Sequence, residues 1–524
     1  PTAFLGSGTV AALVRYNLLF LWAWSLCFVG AYLLARELGL GRMGGAAAGV
    51  AFAYAPYRVT EAGHLHVISS GGLALALFLL LRGYRRSSRK LVLAGWLVSA
   101  WQVSLGFTLG LQYCYLLAVL ALIALMYWWR GRLTPGEGWR APREGTRGAL
   151  IPRRLLAVSV IGIVVLGAVA IYQARPYLQV AADYPTAKRT IKEVKNYSSG
   201  PAALLAASSE NRVWGSVTSG ARAKVHSKNE SVFFPGGVIL ALALIGLLGA
   251  GAGSRGLRRR ESPRHQPRAQ AGGNPLTPRL RVGLLIGIVT CSVLAMGLGL
   301  TGAGYPYRLL FNYAPGWDGV RVPGRVFTLA TLFYALLAAA GVHLLVARIR
   351  PWARRAALPA VPALLGAVLV LVVVGEGAGH LGHPVVPQPA RAEIGLAGPI
   401  IDLPTDGALD RVWQYFSTDG FAKIANGEST FDIPAEDDLR GGMNGFPDRA
   451  SVEKLRYYGI RTVVLHTVMP KGLPPEQGWV IAEPPNTSAA AAKPITGLGI
   501  TRRRVGSVVI YEIGPGPKAL HGTD

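Results

Sequence analysis

Ten apolar segments, separated by links that alternate between strongly basic and mixed or acidic, constrain this chain to a polytopic membrane protein built of helices. They run at about 16–35, 43–57, 65–82, 91–106, 108–129, 155–172, 235–253, 282–300, 326–347 and 357–375. Roughly 20 apolar residues in helical form cross about 30 Å of hydrocarbon, and most of the ten reach that length. The second, rich in Gly and Ala and ending at Pro56, is the weakest of them.

With the link after the first segment placed in the cytoplasm, strict alternation puts five links on that side: 36–42, 82–90, 130–154, 254–281 and 348–356. These hold 26 Lys and Arg against four acidic residues, while the opposite side holds 28 basic and 23 acidic residues. Short basic links stay inside, so the charge pattern predicts the orientation as well as the spans.

The same distribution accounts for the net charge of +27, of which +22 lies in those five links. A nucleic-acid binder would gather its charge on one folded face with aromatics between. The reading here is topology and contact with anionic lipid, with no nucleic-acid partner. The three cysteines, Cys27, Cys114 and Cys291, all fall inside apolar segments and predict no disulfide framework. The chain begins at Pro1 with no charged leader, and residues 1–15 are external on the charge argument. The expectation is therefore an upstream span and an external loop ahead of them.

Two regions on the outer side are too long to be turns. Residues 173–234 are polar and predict a structured loop, with an amphipathic helix from Thr186 to Tyr197 that sets Arg189 and Glu193 on one face. After 1–375, the membrane domain, composition shifts: residues 376–524 gain acidic residues and open on a linker marked by Pro384, Pro387 and Pro389. "PIIDLP", "IRTVVLH" and "VGSVVIYEI" predict strands and "SVEKLRYYG" a helix closed by Gly459, giving a small extracytoplasmic α/β domain with a parallel or mixed sheet. The Arg-, Gly- and Pro-rich stretch from Ser254 to Pro278 reads as a low-complexity inside loop.

Two constellations carry chemistry. In "AYAPYRVTEAGHLH", Tyr57, Arg58, Glu61, His64 and His66 cluster between two spans, where ionisable side chains are costly and tend to be functional. Arg58 suits a phosphate, and Glu61 or a histidine suits a proton acceptor or a divalent metal, although two histidines without a third ligand are weak evidence for an ion. In "NYAPGWDGVRVPGR", Asp318, Arg321 and Arg325 lead into the ninth span, and a guanidinium fork matches a phosphate head group. The plainer readings are helix capping, interfacial water and snorkelling. "GLGLTG" at 297–302 ends a membrane span with no strand before it and is read as helix packing. "HLGH" at 380–383 is read as linker, and the Asn-x-Ser/Thr triplets at Asn196, Asn229 and Asn486 carry little weight.

Taken in order, "AYAPYRVTEAGHLH", "KRTIKEVKNYSSGPAALL", "ESVFFPGG", "APGWDGVRVPGR" and "LRGGMNGFPDRASVEKLRYYGIRTVVLH" resemble bacterial multi-pass proteins of the GT-C glycosyltransferase superfamily. The likeness is to lipoteichoic-acid glycosylating enzymes and, more distantly, to protein O-mannosyltransferases, over residues 16–466. It implies a plasma-membrane transferase that takes a sugar from a polyprenyl-phosphate donor to an envelope lipid, polymer or protein acceptor. It also implies an essential Asp or Glu in the first external loop, which would lie ahead of Pro1. Arg58, His64, Glu230, Arg321 and Arg325 carry over as site-lining positions, with Glu61, His64 and Glu230 as the acid–base candidates. A transporter or lipid flippase is the chief rival, although the centres of the ten segments are nearly free of charge and show no two-fold repeat. A non-catalytic envelope scaffold is the third reading.

Overall fold

The computed structural model describes the chain except residues 1–5, 134–152, 227–229, 250–272, 301–303, 381, 383–384, 390–392, 394, 430, 432, 470–486 and 516–524. Most of the basic links 130–154 and 254–281 lies outside the described residues, as do Asn229 and Asn486. The chain divides into two compact units, one of residues 20–180 and 188–381, the other of 1–19, 181–187 and 382–524.

In the first unit every one of the ten apolar segments contains helix. Among the described residues, six helices are long and apolar enough to cross a membrane: Thr9–Glu37, Leu65–Arg86, Phe107–Met126, Leu155–Asp183, Pro278–Ala295 and Pro323–Arg355. That is the build of a multi-pass membrane protein. Gly41–Tyr54, Arg89–Ser104, Gly237–Leu248 and Val361–Glu376 are shorter, so ten full crossings are not established. The helix expected to stop at 172 continues to Asp183 with Pro176 inside it, which shortens the loop after it.

Phe327–Arg355 is the central helix, packed by Gly41–Tyr54, Gly237–Leu248, Pro278–Ala295 and Val361–Glu376. Small residues set the closeness of that packing. A Cβ on Gly341 would overlap the Leu242 carbonyl, and one on Gly246 the Leu337 carbonyl, so the two backbones touch directly.

Helix ends in this unit sort into two sets. Glu37 pairs with Arg82 at 3.1 Å and Arg85 at 3.4 Å, joining the links 36–42 and 82–90. His343 bonds the backbone of Leu40 and Gly273, and Arg281 donates to the carbonyls of Leu247 and Gly249. Described parts of the links 36–42, 82–90 and 254–281 therefore lie at one end of the helices. The opposite end holds residues 56–68, 188–226, 230–236 and 317–326, which His64, Arg321 and Arg325 join through Glu193 and Glu230.

In the loop between the helices ending at Asp183 and starting at Gly237, the stretch 186–197 is α-helical only over Ile191–Asn196, and a second short helix forms at Ser219–Ala223. The longer helix expected from Thr186 is cut short because Thr190 adopts an extended backbone and caps the helix, its hydroxyl accepting from Glu193 N. Arg189 still reaches Glu193 at 3.0 Å, but from before the helix rather than along its face.

The loop is anchored by Glu376, whose carboxylate accepts from the backbone N–H groups of Val238 and Ile239 at 2.8 Å and from Trp214 Nε1 at 3.2 Å. An anion there satisfies the orphan donors at the start of the Gly237–Leu248 helix. Glu376→Ala is expected to cost about 1–3 kcal/mol, because it strands one buried and two part-buried donors. Thermal unfolding in detergent checks it, and an unchanged midpoint would show that water replaces the carboxylate.

The second unit holds a four-stranded mixed sheet of order β1-β2-β4-β3: β1 Ile400–Leu403, β2 Thr462–His466, β3 Ile500–Val505 and β4 Val508–Ile513. β1 and β2 are parallel, and β4 runs antiparallel to both β2 and β3. Both faces of the sheet are covered at β1, β2 and β4, which is why these strands are mostly apolar runs. Ile401, Leu403, Val463, Leu465 and Val509 pack with Leu439, Val452 and Leu455 on one face, while Ile400, Val464, Val508 and Ile510 fill the other. The Arg449–Tyr457 helix forms where expected, started by an Asp448–Ser451 capping box and followed by Gly459 at φ 70°. β3 was not anticipated: "ITRRRV" is an exposed edge strand, so burial imposes no alternation on it.

Candidate functional site

The first constellation folds as a broken helix. Pro56 starts a short turn Pro56–Thr60, Glu61–Gly63 tightens into a 3-10 turn, and helix resumes at Leu65. The break splits the constellation in two. Tyr57 and Arg58 turn into the core, 1% and 0% exposed. Arg58 donates to the carbonyls of Ile68 at 3.0 Å and Val67 at 3.3 Å and lies over the Phe52 ring, so its guanidinium ties the break together. Tyr57 packs edge-on against Phe233 and Phe327.

Glu61, His64 and His66 face the other way, towards the loop end at Glu230. His64 stands between two carboxylates: Nδ1 lies 3.0 Å from Glu61 Oε2 and Nε2 lies 3.2 Å from Glu230 Oε1. Arg325 Nη2 donates to the same Glu230 oxygen at 3.2 Å. Close backbone packing holds this junction, since a Cβ on Gly324 would press on the Glu230 carbonyl and the Phe233 ring. Glu230 Oε2 is buried and makes no hydrogen bond among the described residues. His66 sets its ring edge-on to His64, centroids 6.0 Å apart.

The electrostatics follow from this array. Pairing with Glu230, and next with Glu61, raises the His64 pKa from 6.5 to about 9, so the ring is an imidazolium at neutral pH. Burial pushes Glu230 up, but His64 and Arg325 together pull it below its ordinary value, so it is a carboxylate there. Two carboxylates, one imidazolium and one guanidinium sum to no net charge, which is what makes the cluster tolerable in a partly buried place.

The other constellation is spread out. Asp318 is exposed on the Trp317–Gly319 turn and joins none of these contacts. Arg321 lies over the Tyr197 ring at 5.0 Å and stands 4.0 Å from Glu193, which Arg189 also holds. Thus each of the two arginines faces a carboxylate from the loop, Arg321 with Glu193 and Arg325 with Glu230. Sequence reasoning missed Glu193 and Tyr197 as site neighbours, and the only signal available was their position in the long polar loop.

Glu61, His64 and Glu230 each offer a ligand atom, and those atoms lie within 4.8 Å of one another. The ring presents opposite nitrogens to the two carboxylates, however, and one ion reaches only one of them. The geometry fits a bridging imidazolium better than a metal centre, and a cation would have to displace the imidazole proton.

No family model matches the chain, and no curated protein matches it.

Proposed function

We propose that this chain is a plasma-membrane glycosyltransferase that moves a sugar from a polyprenyl-phosphate donor to an extracytoplasmic lipid, polymer or protein acceptor, with residues 382–524 also on the outer side. The observation that carries the reading is the buried Glu230 carboxylate, one oxygen held by His64 and Arg325 and the other without a hydrogen bond. Such a group is positioned to accept a proton while the cations beside it receive developing negative charge. His64 already carries its proton at neutral pH, so the acceptor role falls to Glu230 and the imidazolium acts electrostatically.

In this reading the acceptor hydroxyl gives its proton to Glu230 as its oxygen bonds to the anomeric carbon. The bond from that carbon to the phosphate oxygen breaks, and the lipid phosphate departs with the electron pair. Arg321 is the partner for that phosphate, since its side chain is 29% exposed against 13% for Arg325. Nucleotide sugars stay inside a cell, so an outward-facing transferase takes a membrane-carried donor, and its phosphate needs cations at the interface. The basic links support the sidedness.

Transfer of radiolabelled sugar from a polyprenyl-phosphate donor in vesicles tests this. Arg321→Ala is expected to lower the rate by about 10²-fold. Arg321→Lys keeps the charge but loses the fork, and should fall between Ala and the parent. Parental rates in both variants would reduce Arg321 to a partner of Tyr197 and Glu193.

A further inference from the structure

The second unit contains another histidine between carboxylates, and its spacing differs in a telling way. Period-two alternation puts Asp402 of β1 and His466 of β2 on the same face as Ile400 and Val464. His466 is the last residue of β2, so the group sits at the carboxyl ends of the parallel pair, where open α/β sheets place their ligands. The His466 and Trp413 rings stack with centroids 4.0 Å apart and an interplanar angle of 12°. Trp413 Nε1 is in turn fixed to the Pro404 carbonyl. Asn426 clamps the strand at Asp402, accepting from its N–H at 2.6 Å and donating to its carbonyl at 2.9 Å. The His466 ring and the strand carrying Asp402 are therefore held before any ligand arrives.

His466 Nε2 lies 2.9 Å from Asp402 Oδ1, a hydrogen-bond distance, whereas Nδ1 lies 3.8 Å from Glu393 Oε1. The second gap is too long for a hydrogen bond. It is close to the roughly 3.4 Å that separates two donors sharing one tetrahedral ion at bond lengths of about 2.1 Å. His64, by contrast, has short contacts to carboxylates at both nitrogens. Glu393 and Asp402 also line a neighbouring cavity of about 30 Å³, with Ser417 and Asp419 on its wall and His466 outside its lining. That cavity lies beside the gap and has room for a water completing the ion's shell.

We infer that Glu393 and His466 bind a divalent transition-metal ion of the zinc class in the C-terminal unit. Glu393 Oε1 and His466 Nδ1 are the ligands, and Asp402 is the positioning residue that accepts a hydrogen bond from Nε2–H, so that Nδ1 is the basic nitrogen turned to the metal. A carboxylate behind a ligating imidazole fixes the tautomer and strengthens the donor. The mixed nitrogen and oxygen donor set favours zinc, cobalt or manganese over calcium.

The test uses the full chain in detergent, stripped with EDTA and titrated with Co²⁺, read by visible absorption and by quenching of Trp413 against a Trp413→Phe control. The parent is expected to bind one ion that quenches Trp413. Glu393→Gln and His466→Asn should lose it, and Asp402→Asn should weaken it by about 10–100-fold. His64→Asn should leave this binding unchanged. His466 is in the core, so Glu393→Gln at the cavity wall is the deciding variant. Parental Co²⁺ affinity in Glu393→Gln, loss of binding in His64→Asn, or no bound Co²⁺ in the parent would each overturn the inference and leave His466–Asp402 as a structural ion pair only.

Discussion

Glu230→Gln is expected to reduce sugar transfer by about 10²–10⁴-fold, the range for losing a positioned general base. The amide has the shape of the carboxylate but neither its basicity nor its charge. It also leaves Arg325 and the His64 imidazolium in a partly buried site with only Glu61 as counter-charge, so stability should fall by about 1–3 kcal/mol as well. Two measurements separate these effects: initial transfer rate per folded molecule, and thermal unfolding in the same detergent. Glu61→Gln leaves Glu230 in place and should cost less in rate, because Glu61 pairs with His64 and takes no proton in this reading. A Glu230→Gln protein that transfers within about two-fold of the parent would remove the carboxylate from the chemistry.

His64 predicts a pH dependence of stability. Its pKa is raised on folding from 6.5 to about 9, first by Glu230 and then by Glu61. The folded chain therefore holds this proton more tightly than the unfolded chain does. The stabilisation is fully present below about pH 6.5 and is lost as pH rises through about 9. With the ring partly exposed, its size is on the order of 2 kcal/mol after allowing for solvent screening. Glu230 acts in the opposite sense: its lowered pKa gives stability that is present above the ordinary value of 4.5 and is lost as pH falls through the depressed folded value. Unfolding midpoints from about pH 5.5 to about pH 9.5 should decline on the alkaline side in the parent and decline less in His64→Asn. Parallel curves for the two proteins would show that His64 is not the titrating group.

The helical half of the fold was legible because hydropathy is a local property. Each apolar segment contains helix, and two of the links grouped by charge meet, Glu37 of the first with Arg82 and Arg85 of the second. Span length was less legible. The helix containing segment 155–172 continues to Asp183 because no capping signal stops it there, and Gly41–Tyr54 is short because Pro56 follows. In the C-terminal unit three strands showed their burial in the sequence, whereas β3 did not, since edge position rather than composition makes "ITRRRV" a strand.

The candidate site was legible as an inventory and not as a geometry. Arg58 and Arg325 look alike in sequence, yet the carbonyls of Val67 and Ile68 take the first, and Glu230 takes the second. That His64 stands between Glu61 and Glu230 depends on how the loop after Asp183 returns to the helices, a long-range fact that spacing does not encode. Glu376 passed for the edge of a linker, because its three donors come from two other segments.

The most direct test of the central claim is sugar transfer by the complete gene product in vesicles, supplied with a labelled polyprenyl-phosphate sugar and an envelope-lipid extract as acceptor. The account predicts labelled product from the parent, loss of product with Glu230→Gln and Arg325→Ala, and near-parental product from Glu393→Gln, which lies in the other unit. Labelled product at the parental rate from both Glu230→Gln and Arg325→Ala would contradict it.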